Sequence, residues 1–210
     1  MIHSMRSQES PVLAAPMSIT SDSAGNAERY LPFDDLCRAL HQLPAAPRDH
    51  GRLALIVRRL EQGRRETPGS VLLTPEGGVP GDAWGRRAER DPSAQIAVMQ
   101  GDVARLISNG QLLDLFGDSL FLELDLSTGN LPTGSRLRIG GATLEVTPKP
   151  HNGCRKFRAR FGEEALRFVS DPSLRHRNLR GIYFRVLEAG DVAVGDVVNV
   201  VSRTVAAGPS

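Results

Sequence analysis

The sequence predicts a mainly β protein of the α+β class: a β-barrel with a few short helices and a short helical extension on its N-terminal side. Three observations predict it. Apolar segments of strand length recur through the 210-residue chain, separated by turns rich in Gly and Pro. One pair of segments, at 136–139 and 143–146, alternates apolar and polar residues on either side of Gly140-Gly141, which is the pattern of a tight hairpin. The helical segments between the strands are short and few, so many closely spaced strands are left to close on themselves.

Taken in order, residues 1–28 show no periodicity and read as a disordered tail. They also lack the basic start, apolar centre and cleavage site of a secretory signal. Residues 29–51 read as a helical extension. Phe33, Leu36, Leu40 and Leu43 recur at helical spacing, Pro32 suits a first turn and Pro44 stops the run. Cys37, beside Leu36 and Leu40, reads as a small buried apolar residue; the alternative is a resolving thiol.

Residues 52–205 are assigned to the barrel domain. Strands are expected at 53–57, 71–73, 95–99 and 120–124, with a turn-rich loop at 74–82 and a helix at 102–107 capped by Asp102. Beyond the hairpin, a helix is expected over 162–169. A second hairpin, 182–187 with 192–201, is expected to close the chain.

Composition excludes several classes. The chain is 40% hydrophobic and 24% charged, an ordinary globular profile. No window reaches the ~18 apolar residues of a membrane span, so no membrane association is expected. Cys37 and Cys154 are the only cysteines, which excludes a disulfide scaffold. With no signal segment, the cytoplasm is the expected compartment. The 26 basic residues nearly balance 24 acidic ones, and only 5% of residues are aromatic. Both facts disfavour nucleic acid as a partner.

Chemistry concentrates in residues 149–161. Cys154 stands in a Gly-containing loop expected between a hairpin and a helix, His151 precedes it by three positions, and Arg155, Lys156 and Arg158 follow; no carboxylate interrupts the run. Positive charge favours thiolate over thiol, and a thiolate is both a nucleophile and a soft-metal ligand. A structural cysteine on a solvated basic face is the competing reading. One Cys and one His do not make a zinc site. No phosphate-binding loop of the Gly-x-x-x-x-Gly-Lys-Ser/Thr type and no Gly-x-Ser-x-Gly elbow occurs.

Blocks spread over about 150 residues resemble, in order, those of the MOSC domain, found at the C-terminus of molybdenum-cofactor sulfurases and in standalone bacterial proteins. Gly77-Gly78-Val79-Pro80-Gly81-Asp82 is similar to its glycine-rich loop. Phe116-Gly117-Asp118-Ser119-Leu120 resembles its Gly-Glu-Asn-Leu block. The run Leu131 to Gly140 resembles its barrel hairpin, and His151-Asn152-Gly153-Cys154-Arg155-Lys156-Phe157 its cysteine block. Arg180 to Val186 and Val194 to Val198 resemble its closing strands. Two departures stand out. Ala83-Trp84 follows Gly81-Asp82 where the family often has a histidine, and Asp118-Ser119 replaces Glu-Asn. Trp84 either stacks on a heterocycle or packs the barrel mouth.

The resemblance implies a MOSC-type barrel that binds the molybdenum cofactor (molybdopterin), with Cys154 as the catalytic residue and the metal ligand. It implies cofactor contacts from His151, Asn152, Gly153, Arg155, Lys156, Arg158, Gly81, Asp82 and Arg180. Arginines suit an anionic phosphate because they donate in pairs. The implied activity is reduction of N-hydroxylated or N-oxide small molecules, with electrons from a separate reductase. The alternative is a sulfur carrier whose Cys154 persulfide is charged by a cysteine desulfurase; no pyridoxal phosphate is expected in this chain. A third option is an anion- or RNA-binding module.

Overall fold

The computed structural model describes residues 19–20 and 24–203. In chain order its elements are β1 (Ile19–Thr20), α1 (Phe33–Gln42), β2 (His50–Ile56), β3 (Arg58–Arg59), β4 (Arg65–Glu66), β5 (Ser70–Leu73), β6 (Ile96–Gln100), α2 (Gly101–Ser108), β7 (Leu120–Leu122), β8 (Arg136–Ile139), β9 (Ala142–Val146), α3 (Arg155–Phe161), α4 (Glu163–Ser170), β10 (Ile182–Glu188), β11 (Gly190–Ala193) and β12 (Val197–Ser202). Seven strands close a barrel in the order β10-β6-β7-β2-β12-β8-β9. Every pairing is antiparallel except β6 with β7, which are parallel and joined across α2.

Strand alternation sorts side chains into two cores. Ile96 and Val98 of β6, Ile182, Phe184 and Val186 of β10, and Leu137 and Ile139 of β8 point into the barrel and are buried there together. Met99 and Phe121 point outward. With Leu36 and Leu40 of α1, Val103 and Ile107 of α2, Phe157 and Phe161 of α3, and Phe168 of α4 they make a second core. The helices therefore form one layer against one side of the barrel. Phe116 stacks on Phe161 at 4.1 Å between centroids, which fixes α3 against the loop before β7.

Four expectations need correction. The closing segments do not pair with each other: β10 lies between β6 and β9, whereas β12 lies between β2 and β8. The intervening β11 pairs with β5 in a separate two-stranded sheet. Alternation marked the strands, but pairing partners depend on barrel closure, which periodicity does not encode. Asp102 lies inside α2, not at its cap, which is Gln100. The cysteine segment is not all loop, because 155–161 form α3, broken from α4 at Gly162. Cys37 is half-buried against the helical core, not fully buried; burial and Asp34 raise its thiol above the ordinary value.

Of the stretch read as a tail, residues 1–18 and 21–23 lie outside the described residues. Residues 24–28 are built into the fold: the Gly25 amide donates to the Ala159 carbonyl and the Asn26 amide to Gln111 Oε1. No helix among the described residues is long and apolar enough to cross a membrane.

Candidate functional site

The outward faces of β6 and β10 carry the floor of a cleft of about 480 Å³. Ala97 and Tyr183, paired across the two strands, supply that floor. Phe157 and Lys156 of α3 form one wall, with Cys154 and the 151–152 loop. The β3–β4 hairpin supplies the opposite wall through Arg59, Gly63, Arg64 and Arg65. Arg87, Arg160 and Arg180 complete a lining with six arginines, one lysine and no carboxylate. Two of the arginines are held from behind by a buried carboxyl: Arg59 by Asp82 and Arg180 by Asp118. Arg64 and Arg87 have no side-chain partner among the described residues and are exposed. An anion entering this cleft meets donors and no competing acceptor charge.

Cys154 is a free, exposed cysteine at the N-cap position of α3, and its thiol makes no capping hydrogen bond. Its approach depends on Gly153, where a Cβ would run into the Leu166 side chain of α4. The absence of a side chain at 153 lets the loop lie close to α4 with the Leu166 and Val169 side chains undisturbed. Among the described residues no three His, Cys, Asp or Glu side chains come together as a metal cage. A metal here would have Cys154 as a single protein thiolate and take its remaining ligands from a cofactor.

His151 and Arg180 line this cleft and also a second one of about 560 Å³ behind it. The His151 ring stacks on Tyr183 at 4.3 Å and is 6% exposed. Its Nδ1 lies 3.5 Å from Asp118 Oδ1. Asp118 is fully buried and accepts from Arg180 Nη1 through Oδ2 at 2.7 Å. Burial raises the Asp118 carboxyl above the usual carboxylate range, opposed by Arg180 and Arg59. Burial first, then Arg180 and Arg59, hold His151 well below the ordinary imidazole value, so it is neutral at neutral pH.

The structure brings together His151, Asn152, Cys154, Lys156 and Arg180 of the sequence-derived set. It does not bring Arg155 or Arg158 to the cleft; both are exposed, and Arg158 faces Glu163 at 3.4 Å. Gly81 and Asp82 are also displaced from the expected role. The Asp82 carboxylate is 2% exposed and accepts from the Arg59 amide, Arg59 Nε and Nη2, and the Trp84 amide. All its acceptor capacity is turned to the fold. Gly81 packs against Arg58, and its carbonyl accepts from Arg86. Trp84 packs rather than stacks on a ligand: it is 5% exposed, donates to the Asp91 carbonyl at 3.0 Å and is covered by Arg90.

Sequence reasoning missed Arg59, Arg64, Arg65, Arg87 and Arg160. The first three lie within a two-strand hairpin of only 58–66, too short for a periodic signal. The one available hint was the doublet pattern Arg58-Arg59, Arg64-Arg65, Arg86-Arg87.

Among curated proteins none matches the chain. Solved structures share its fold at low identity. YuaD from Bacillus subtilis is 17% identical with a TM-score of 0.56, over 74% of this chain and 98% of that one. YiiM from Escherichia coli is 19% identical with a TM-score of 0.50, over 73% of this chain and 71% of that one. The family model for the MOSC domain matches residues 90–199, a span that holds the β6 to β11 strands, the first half of β12, the Asp118 loop and the cysteine segment. With the closed barrel and that match together, the chain belongs to the MOSC domain family.

Proposed function

We propose that the arginine-lined cleft binds the molybdenum cofactor and that Cys154 is its thiolate ligand, in a protein that reduces N-hydroxylated or N-oxide compounds. The observation that carries this reading is an exposed thiol on the wall of a cleft lined by seven cationic side chains and no carboxylate. The donor set fits an anionic pterin cofactor. Arg64 and Arg87 are available to its phosphate, Lys156 adds positive charge beside the thiol, and Tyr183 and Phe157 offer flat apolar surface to a heterocycle. The cofactor, when bound, supplies the redox chemistry. The chain holds and orients it, and a separate cytoplasmic reductase supplies electrons. Asn152, at the junction of both clefts, contributes a further polar contact.

The test is to purify the protein from a host that makes the cofactor and measure molybdenum per chain and N-hydroxy-substrate reduction, for wild type and Cys154→Ser. Cys154 is exposed, so the serine variant keeps the fold. The expected outcome is near-stoichiometric molybdenum and turnover in wild type and loss of both in the variant, because a neutral hydroxyl is a poor soft-metal ligand. Wild-type levels of both in Cys154→Ser would overturn the reading. Metal-free wild type carrying labile sulfur on Cys154 would replace it with a sulfur carrier charged by a cysteine desulfurase.

A further inference from the structure

We propose that Asp118 and His151 form a proton relay that delivers a proton through His151 Nε2 to the molecule bound beside Cys154. Three enclosed polar atoms meet at this point without a hydrogen-bond partner: Asp118 Oδ1, His151 Nδ1 and Arg180 Nε. A fold normally satisfies such atoms, because leaving them unpaired away from water is costly. Oδ1 and Nδ1 face each other at 3.5 Å, so a small approach of the ring closes a hydrogen bond between them. Nε2 is not enclosed in this way and makes no hydrogen bond among the described residues, and the residue lines both clefts. The ring therefore joins a buried carboxyl to an open nitrogen.

The backbone is shaped for this approach. Gly181 has φ +92°, and a Cβ there would collide with the Val98 carbonyl and sit 3.4 Å from His151 Nδ1. A side chain at 181 would strike the β6 backbone and crowd Nδ1 of the ring. Arg180 closes the carboxyl from one side and Tyr183 holds the ring from another. Arg59 acts electrostatically on both members of the pair, and Tyr183 and Arg160 act on Asp118.

The proton count is explicit. In the neutral pair one proton is on the Asp118 carboxyl and one on Nε2. The Nε2–H bond breaks as that proton goes to the bound molecule, and the carboxyl proton crosses to Nδ1. Asp118 is left as a carboxylate against Arg180, and a proton from water, entering by the second cleft, restores the pair. The directions of titration agree with this starting state, since burial favours the neutral form of each group. Under the proposed reductase reading, on which the delivery step rests, R–NH–OH takes up two electrons from the reductase and two protons, giving R–NH2 and water. The relay supplies the proton with which oxygen leaves, and solvent supplies the other. His151 is then a catalytic residue and Asp118 a positioning one.

Two readouts test this on the full chain. In protein labelled with 15N-histidine, with the His151 signals assigned by their loss in His151→Gln, Asp118→Asn should move the Nδ1 resonance and shift Nε2 much less. Unmoved ring nitrogens would show that His151 does not bond to Asp118 and would end the proposal. In molybdenum-loaded protein, His151→Gln should lower kcat for an N-hydroxylated amidine about 10²–10⁴-fold with molybdenum content unchanged. An unchanged kcat, or molybdenum lost in step with activity, would overturn the catalytic role. If wild type holds no molybdenum and reduces nothing, the reductase reading fails on its own, and the nitrogen resonances still decide whether the relay exists.

Discussion

Two buried arginine–carboxylate pairs flank the same cleft and differ in completeness. Asp82 accepts four hydrogen bonds, three from Arg59 and one from the Trp84 amide, and the Arg59 contacts outweigh burial to hold its carboxyl below the usual range. Asp118 accepts one close bond from Arg180, leaves Oδ1 empty and is pushed upward by burial. Sequence alone makes them look equivalent, since each is an aspartate following a glycine in a family-like block. The difference teaches that saturation of acceptors separates a carboxylate that holds the fold from one kept ready to exchange a proton.

The largest effect should come from breaking the saturated pair. Asp82→Ala strips Arg59 of its counter-charge and the Trp84 amide of its acceptor, which should cost about 3 kcal/mol. At this chain length the midpoint of thermal unfolding should fall by roughly 5–10 °C. A scan within a degree of wild type would show that the Arg59–Asp82 pair is not structural, and the contrast drawn above would collapse.

The second effect is a difference in sign with pH. Asp82, with its folded value lowered, contributes stability that is fully present above the ordinary carboxylate range and is lost as pH falls through the folded value. Asp118, with its folded value raised, does the opposite: the folded chain binds the extra proton, so stability falls as pH rises from the ordinary carboxylate value through the raised one. Urea unfolding across that range should show Asp82→Asn flattening the acid limb. Asp118→Asn should cost least at the upper end. Parallel pH dependence in the two variants would remove the distinction between the pairs.

The barrel was legible because its signal is local. Alternation along 136–146 depends only on neighbours in sequence, and Arg136–Ile139 and Ala142–Val146 pair as expected. The β10 and β12 partners were illegible because closure joins segments distant in sequence. Within the site, Cys154, His151 and Lys156 lie in one segment and could be found together. Arg180 came through family resemblance. Asp118 was seen as a departure from a family block, but nothing in the sequence says that its Oδ1 lies opposite His151. That relation arises only when the loop before β7 meets the loop between β9 and α3. Trp84 shows the converse. Its replacement of a family histidine suggested a ligand contact, yet the ring is enclosed by Asp91 and Arg90.

The smallest effect on stability should come from the cations that neither pair engages. Arg64 and Arg87 are exposed, line the cleft and hold no side-chain partner among the described residues. Replacing both with alanine should leave unfolding free energy within about 0.5 kcal/mol of wild type per site. The same change should weaken retention of an anionic cofactor, because it removes two donors with no acceptor of their own in the fold. The difference from wild type should shrink as salt is raised, since the attraction of the two removed charges is then screened beyond about 10 Å in wild type as well. The measurement is molybdenum remaining after dialysis at low and high salt, beside a thermal scan. Full retention in the double variant at both salt levels would mean that the anion is held by Lys156 and the inner arginines alone, and that the exposed cations of the β3–β4 hairpin and of the loop bearing Arg87 serve only solubility.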